Sequence, residues 1–133
     1  MNWCAEAPCK GDIIRVPMRF YHHYGIYVSD DEVIQFGARD NTGTDPKDIR
    51  VIATDIAAFA EGQEVERAKL DREERHRRRK TDAIVTYARG QLGRDGYDIL
   101  HNNCEHFVNE CVFGEPASSF LDTVRRQIRE KIR

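Results

Sequence analysis

Six consecutive residues decide the fold, namely Asn103-Cys104-Glu105-His106-Phe107-Val108. Asparagine is a preferred N-cap residue, so Asn102 or Asn103 is expected to cap a helix that runs from about Cys104 to Phe113. Gly114 is a typical helix stop. One face of this helix would carry Cys104, Phe107, Val108 and Cys111. The pattern predicts a buried helix with a cysteine in its first turn.

A cysteine in that position is suited to nucleophilic chemistry. The unpaired backbone N–H groups and the helix dipole favour an anion there, and they are expected to lower the pKa of the Cys104 thiol from about 8.5 toward neutrality. The same N–H groups can hold the oxyanion of a tetrahedral intermediate. A small buried core cysteine shows the same local pattern. The nucleophile hypothesis therefore depends on finding a base.

The candidate bases are the five histidines, His22, His23, His76, His101 and His106. His106 is two residues from Cys104 on the predicted helix and points to another face. His76 lies in a charged segment, and His101 precedes the helix in a loop. His22 and His23 open a predicted strand, so one of them faces the core. The residues alone leave the choice open.

Alternating apolar residues and turn signals predict a small sheet. The predicted strands cover residues 12–16, 23–28, 32–37 and 49–53. Ser29-Asp30-Asp31 supplies the turn between the second and third strands. Thr54 or Asp55 can cap a short helix that ends near Gly62, and Thr81 can cap a longer one that Gly93 stops.

The composition limits the class of protein. The 133 residues fit one domain over 1–133, and the net charge of -2 does not predict nucleic-acid binding. No apolar run reaches the roughly 18 residues of a spanning helix, and the N-terminus lacks a signal-peptide pattern. No Cys-x-x-Cys spacing points to zinc. The expected location is cytoplasmic.

Two segments differ from the rest. Fourteen of the twenty residues in a charged insertion at about 61–80 are Asp, Glu, Lys or Arg, and a solvated helix or a mobile insertion is favoured there. An amphipathic C-terminal helix is predicted at about 119–132. It can pack on the sheet, which is favoured, or lie on a membrane interface. Its apolar residues are Phe120, Leu121, Val124, Ile128 and Ile132.

Three blocks together resemble the lecithin:retinol acyltransferase family of the permuted papain-like, NlpC-type hydrolases. The blocks are Gly11-Asp12-Ile13-Ile14, His23-Tyr24-Gly25-Ile26-Tyr27-Val28 and Asn103-Cys104-Glu105-His106-Phe107-Val108, in that order. The resemblance covers residues 10–40 and 81–114. It implies an α+β fold in which a small antiparallel sheet packs against the nucleophile-bearing helix.

The resemblance also implies roles for individual residues. Cys104 would be the catalytic nucleophile and His23 the general base. The family usually has a second histidine twelve positions after the first, and here that position is Gln35. If residues 29–31 form the hairpin loop, Gly25 opposes Gln35 and His23 lies diagonal to Gln35 on the same face. A glutamine carbonyl can accept the imidazole N–H, although it adds no charge.

The implied function is lipid metabolism by a thiol acyltransferase or hydrolase that forms a thioester on Cys104. The acyl donor would be a phospholipid-like ester, no cofactor or metal is expected, and peripheral membrane contact is an option. An NlpC-type amidase or peptidase is the alternative enzyme. A non-catalytic binding module that keeps the fold is a third hypothesis, because Gln35 departs from the family pattern.

Overall fold

The computed structural model describes residues 1–37, 46–98, 102–115 and 128–131. These residues form an α+β fold built on one six-stranded antiparallel sheet, with strand order β1-β6-β2-β3-β4-β5. The strands are β1 Asn2–Cys4, β2 Ile13–Pro17, β3 His22–Ser29, β4 Glu32–Gly37, β5 Arg50–Thr54 and β6 Glu66–Lys69. The helices are α1 Ile56–Ala60, α2 Arg72–Arg77, α3 Thr81–Gly90 and α4 Cys104–Phe113, with a 3-10 turn at Pro46–Asp48.

Strands β3 and β4 bury both of their faces. One face meets α3 and α4 in the main apolar core, to which the two strands contribute Ile26, Val28, Ile34 and Phe36. The opposite face meets α1 in a smaller apolar cluster around Val33 and Phe59. Because successive side chains of a strand point to opposite faces, neighbouring residues of β3 belong to different environments.

The central strands match the sequence-based prediction closely. Strand β4 has the predicted bounds, and β2, β3 and β5 differ by one residue at their ends. Gly25 pairs with Gln35, so the predicted register of the central hairpin is confirmed. The turn at Ser29-Asp30-Asp31 explains this success, because turn residues act on their immediate neighbours.

The charged stretch 61–80 differs from its prediction. It contains β6, which lies between β1 and β2 inside the sheet, so the expectation of a solvated helix or a mobile insertion is wrong for residues 66–69. It also contains α2, which is exposed apart from Glu74, so the solvated helix is confirmed for residues 72–77. The charged residues of β6 obscure its strand pattern in the sequence. In the sheet these charges are paired: Arg67 with Glu6 at 2.6 Å, and Glu66 with Arg15 at 2.9 Å. Strand β1 was not predicted either.

The helix ends follow short-range rules except at α3, which also ends at Gly90, before the predicted stop at Gly93. The Asp55 side chain accepts the backbone N–H of Ala58 and caps α1, as predicted. Helix α4 has the predicted bounds, with Asn103 as N-cap and Gly114 as C-cap. Helix α3 starts at Thr81 itself, with Lys80 as its N-cap and no side-chain cap, so the prediction that Thr81 caps this helix is wrong.

Several predicted features fall outside the described residues. These are most of the loop between residues 40 and 48, His101, and the C-terminal helix at 119–132 apart from a helical turn at 128–131. Within the described part of the chain, no helix has the length and apolar character to cross a bilayer.

Candidate functional site

Helix α4 begins at Cys104 because Asn103 and His106 form a capping box. The Asn103 side-chain oxygen accepts the backbone N–H of His106 at 2.9 Å. In return, His106 Nδ1 accepts the backbone N–H of Asn103 at 3.0 Å. Two of the N–H groups at the helix start are thereby satisfied. His106, a candidate base in the sequence, is thus engaged through Nδ1 in starting the helix.

The Cys104 thiol lies in a buried position between α4 and β3. Only 4% of the residue is exposed, and the sulfur accepts the backbone N–H of Tyr24. Burial raises the pKa of the Cys104 thiol to about 11, and the N–H groups of Tyr24, Cys104 and Glu105 oppose this rise. The expected lowering of this pKa is therefore wrong. Desolvation outweighs the helix N-terminus, and the thiol is protonated at neutral pH.

A hydrogen-bonded chain of three side chains crosses strands β3, β4 and β5. His23 Nε2 lies 2.6 Å from Gln35 Oε1, and Gln35 Nε2 donates to Thr54 Oγ1 at 2.7 Å. Since the Gln35 oxygen can only accept, His23 carries its proton on Nε2 in this arrangement. A neutral His23 then has its lone pair on Nδ1. Gln35 is 1% exposed and His23 and Thr54 are half-buried, so the buried amide of Gln35 is satisfied at both ends.

The electrostatics of His23 favour the neutral ring. Burial lowers the pKa of His23, while the hydrogen bond to Gln35 and the negative charge of Glu61 act in the opposite direction. The net shift is downward from the ordinary value of about 6.5. His23 is therefore uncharged at neutral pH, like the Cys104 thiol.

Two glycines make space around the imidazole. A Cβ at Gly25 would lie 2.9 Å from a ring carbon of Phe59, whose ring centre is 5.3 Å from that of His23. A Cβ at Gly37 would lie 3.2 Å from Gln35 Oε1 and 3.6 Å from the His23 ring. The absence of side chains at these positions allows Phe59 and Gln35 to approach His23 closely.

The two adjacent histidines of β3 belong to opposite sides of the sheet. His23 joins Gln35 and Phe59 on the α1 side. His22 lies on the other side, with its ring centre 6.4 Å from that of Tyr24. The thiol also lies on that second side, but it contacts the backbone N–H that follows His23. Thiol and imidazole thus both lie at the start of β3.

Aromatic residues surround the thiol. Burial raises the pKa of Tyr24 to about 12 and raises those of Tyr21 and Tyr97, and the neighbouring Cys104 contributes to all three shifts. Tyr97 packs edge-on against Phe36, with ring centres 5.2 Å apart. The thiol therefore has an aromatic setting, with the Glu105 carboxylate as a neighbouring charge that also raises its pKa.

Arg94 fixes the chain that leads into α4. Its guanidinium donates to Asn102 Oδ1 at 2.6 Å and also pairs with Glu110 on α4. The backbone carbonyl of Arg94 accepts the N–H of Val51 on β5 at 2.9 Å. These contacts tie the residue before the Asn103 cap to both the sheet and the helix.

Some contributors to this arrangement have no local sequence signal. Thr54 is 19 positions from Gln35 and becomes its neighbour only through the pairing of β4 with β5. The N–H of Tyr24 belongs to the backbone, so the type of residue at position 24 does not predict its contact with the thiol. Gln35, in contrast, was expected near His23 from the hairpin register.

The described residues thus form an α+β protein with a buried cysteine at a helix start and a hydrogen-bonded histidine at the adjacent strand. Within the described ranges, no three His, Cys, Asp or Glu side chains come together as a set that could hold a metal ion.

The family model for lecithin retinol acyltransferase matches residues 6–117. The chain belongs to the lecithin retinol acyltransferase family. It is 30% identical to lecithin retinol acyltransferase of Bos taurus and of Homo sapiens over 146 residues, covering 92% of this chain and 64% of each relative. It is 27% identical over 119 residues to phospholipase A and acyltransferase 1 of Homo sapiens, covering 84% of this chain and 71% of that relative. The chain therefore spans about 64% of the length of the lecithin retinol acyltransferases that it matches.

Proposed function

We propose that this chain is a thiol acyltransferase or acyl hydrolase that cleaves an ester of a phospholipid-like donor. Cys104 is the nucleophile, His23 the general base, and Gln35 the residue that orients His23. The fold is the permuted papain-like one, and residues 1–133 form a single domain. Membership of the family and the names of the relatives, which include acyltransferases and phospholipases A, support the reaction class.

The observation that carries the proposal is the 2.6 Å hydrogen bond between His23 Nε2 and Gln35 Oε1. It selects the tautomer with a free lone pair on Nδ1, which is the form that a general base requires. Thr54 holds the Gln35 amide from its other end, so the carbonyl stays directed at His23. Gln35 thereby performs the orienting part of the role that the second histidine has in the family.

The position of the thiol supports the other half of the proposal. The sulfur accepts the N–H of Tyr24, which is the peptide group that follows His23. The proposal requires the sulfur and Nδ1 to meet at this end of β3, from the opposite sides of the sheet on which the two resting side chains lie. The start of α4 supplies backbone N–H groups to hold an oxyanion.

The reaction then proceeds in two balanced steps. His23 Nδ1 takes the thiol proton while the Cys104 sulfur attacks the ester carbonyl, and the same proton is returned to the departing alcohol. This leaves a thioester on Cys104. In the second step, water or an amine gives its proton to Nδ1 and attacks the thioester, and the sulfur leaves with that proton as a thiol.

The charges favour a resting pair that is neutral. Burial raises the pKa of Cys104 and lowers that of His23, so a thiol and an imidazole face the substrate rather than an ion pair. The proton therefore moves as the sulfur attacks, by general-base catalysis.

Intact-mass analysis after incubation with phospholipid vesicles tests the proposal. We expect an added acyl mass on the wild-type protein that Cys104→Ala abolishes and Cys9→Ala, at an exposed thiol, retains. His23→Ala should prevent acylation, whereas His22→Ala, the adjacent histidine on the other side of the sheet, should allow it. Cleavage of amide substrates without any acylation by esters would favour an NlpC-type amidase instead.

A further inference from the structure

The hairpin tip, residues 18–21 between β2 and β3, exposes large apolar side chains to solvent. Phe20 is 86% exposed and Tyr21 is 53% exposed. The backbone N–H of Met18 donates to the carbonyl of Tyr21 at 2.7 Å, so the chain reverses direction over Arg19 and Phe20. Exposing an aromatic ring at the apex of a tight turn is unfavourable in water unless a partner covers it.

Arg19 is the charged residue of the hairpin tip. No Asp or Glu occurs between Asp12 and Asp30, and the other cation of that interval, Arg15 on β2, is paired with Glu66. The Arg19 guanidinium stands 5.2 Å from the centre of the Phe20 ring. The hairpin tip therefore combines apolar rings with a cation and lacks acidic side chains, which suits a negatively charged surface.

The hairpin tip also lies close to the candidate site. It leads directly into β3, where His23 is the second residue. Burial and the neighbouring Cys104 both raise the pKa of Tyr21, the last residue of the hairpin tip. Whatever covers Phe20 and Tyr21 therefore lies next to the start of β3, which carries His23.

The size of the hairpin tip helps to identify its partner. A stable protein interface buries about 800 Å² on each partner, which is far more than a four-residue turn provides. A bilayer interface accepts single aromatic rings at headgroup depth and attracts Arg to anionic lipids. Buried apolar area and the attraction of a cation to anionic lipids add together in reversible membrane binding.

We propose that the hairpin tip docks on the surface of an anionic phospholipid bilayer, with Phe20 entering the interface and Arg19 contacting headgroups. The purpose of this docking rests on the proposed function: it would present the thiol to acyl chains at the bilayer. The binding itself needs no turnover and can be measured without it.

Vesicle sedimentation in the Cys104→Ala background tests the docking. Vesicles of phosphatidylcholine with about a third phosphatidylserine are the probe, at low ionic strength. Phe20→Ser should weaken binding about tenfold, because the transfer of one aromatic ring is lost. Leu92→Ser is the matched control, since Leu92 is a 46% exposed apolar residue outside the hairpin tip. It should bind as the parent does.

Two further variants separate the contributions of the ring and the charge. Phe20→Trp keeps an apolar ring and should retain binding. Its binding would show that a substitution at position 20 does not by itself unfold the protein, so that weaker binding by Phe20→Ser reports the lost ring. Arg19→Gln should weaken binding about fivefold on the anionic vesicles and leave binding to pure phosphatidylcholine unchanged. Raising the salt concentration should reduce the difference between Arg19→Gln and its parent.

Several results would overturn the docking proposal. The first is absence of vesicle binding by the parent, and the second is equal binding by Phe20→Ser and its parent. The third is a concentration-dependent dimer that Phe20→Ser abolishes, because the partner of the hairpin tip would then be a second copy of the chain. Acylation of Cys104 by dispersed substrate with no vesicle binding would refute the docking alone. Vesicle binding by a protein that is never acylated would refute the proposed function alone.

Discussion

The two faces of strands β3 and β4 are buried in different ways. The face under α4 is an apolar core that includes Ile26, Ile34 and Phe36. The face under α1 contains a polar pair, the half-buried His23 and the buried Gln35, beside Val33 and Phe59. An apolar face is stabilised by contact area, whereas a buried polar pair is stable only while its hydrogen bonds are intact. The first face packs against the helix that carries Cys104, and the second orients His23, the proposed base.

The largest effect on the reaction rate should come from removing the thiol of Cys104 or the imidazole of His23. Cys104→Ala and His23→Ala are each expected to lower the rate of ester cleavage about 10⁴-fold, because the proposed nucleophile and base act as one unit. The double variant should be no worse than either single variant. Single-turnover rates, with His22→Ala as the control, provide the measurement. Full activity in Cys104→Ala would refute the mechanism.

The second effect concerns the reactivity of the thiol without substrate. With a pKa of about 11, Cys104 should alkylate about a hundredfold more slowly at pH 7 than an ordinary thiol, because the thiolate reacts. The rate should keep rising past pH 9. Mass spectrometry of each cysteine, with the exposed Cys9 as internal reference, provides the test. A Cys104 profile with a midpoint below 8 would reveal an ion pair with His23.

Close packing on the α1 face predicts the third effect. Gly25→Ala places a Cβ 2.9 Å from Phe59 and 3.1 Å from Val33, so it should destabilise the fold by about 2 kcal/mol. Gly90→Ala is the matched control at the end of α3, where no atom lies within 4 Å of the new Cβ. It should stabilise the protein by about 0.5 kcal/mol. Urea unfolding measures both, and equal stabilities would contradict the close packing.

Gln35 should have a smaller effect on the rate. Gln35→Ala removes one neutral hydrogen bond to His23, worth about 1 kcal/mol, so the acylation rate should fall about fivefold. Gln35→His, which restores the usual family residue, should preserve or raise the rate. Equal rates in all three proteins would show that residue 35 does not act on His23. A wild type without acylation that Gln35→His rescues would indicate a site that had lost catalysis.

The smallest effect is on the pH dependence of stability. The folded-state pKa of His23 is lowered, so below about pH 6.5 the unfolded chain binds a proton that the folded chain does not. Stability should therefore decrease as the pH falls from 6.5 toward the folded pKa. His23→Gln should remove this part of the decrease in urea titrations between about pH 7 and 5. An unchanged slope would contradict a buried, neutral His23.

Local rules explain why the central hairpin and α4 were predictable. The alternation within β3 and β4 and the turn at residues 29–31 specify a register, and that register pairs Gly25 with Gln35. The Asn103 cap and the Gly114 stop specify the bounds of α4. Each of these signals acts within a few residues, so one sequence contains all the information that they need.

Strand β6 shows where local rules fail. Its charged residues are typical of a solvated segment, and only their partners on distant elements, Glu6 and Arg15, make them compatible with a place inside the sheet. Strand β1 is three residues long and depends on β6 for its pairing. Neither strand has a signal of its own, because pairing across more than 50 residues is a property of the fold.

The sequence by itself determined the hairpin of β3 and β4, the start of α4 and the family blocks that contain Cys104 and His23. The tertiary structure alone decided the protonation of these two groups. Helix geometry favours a thiolate at Cys104, but the surrounding aromatic residues and the depth of burial raise its pKa instead. Desolvation depends on every atom that packs around a group, and those atoms come from strands and helices far apart in the chain. A pattern of neighbouring residues in the sequence therefore does not predict how far a group is desolvated.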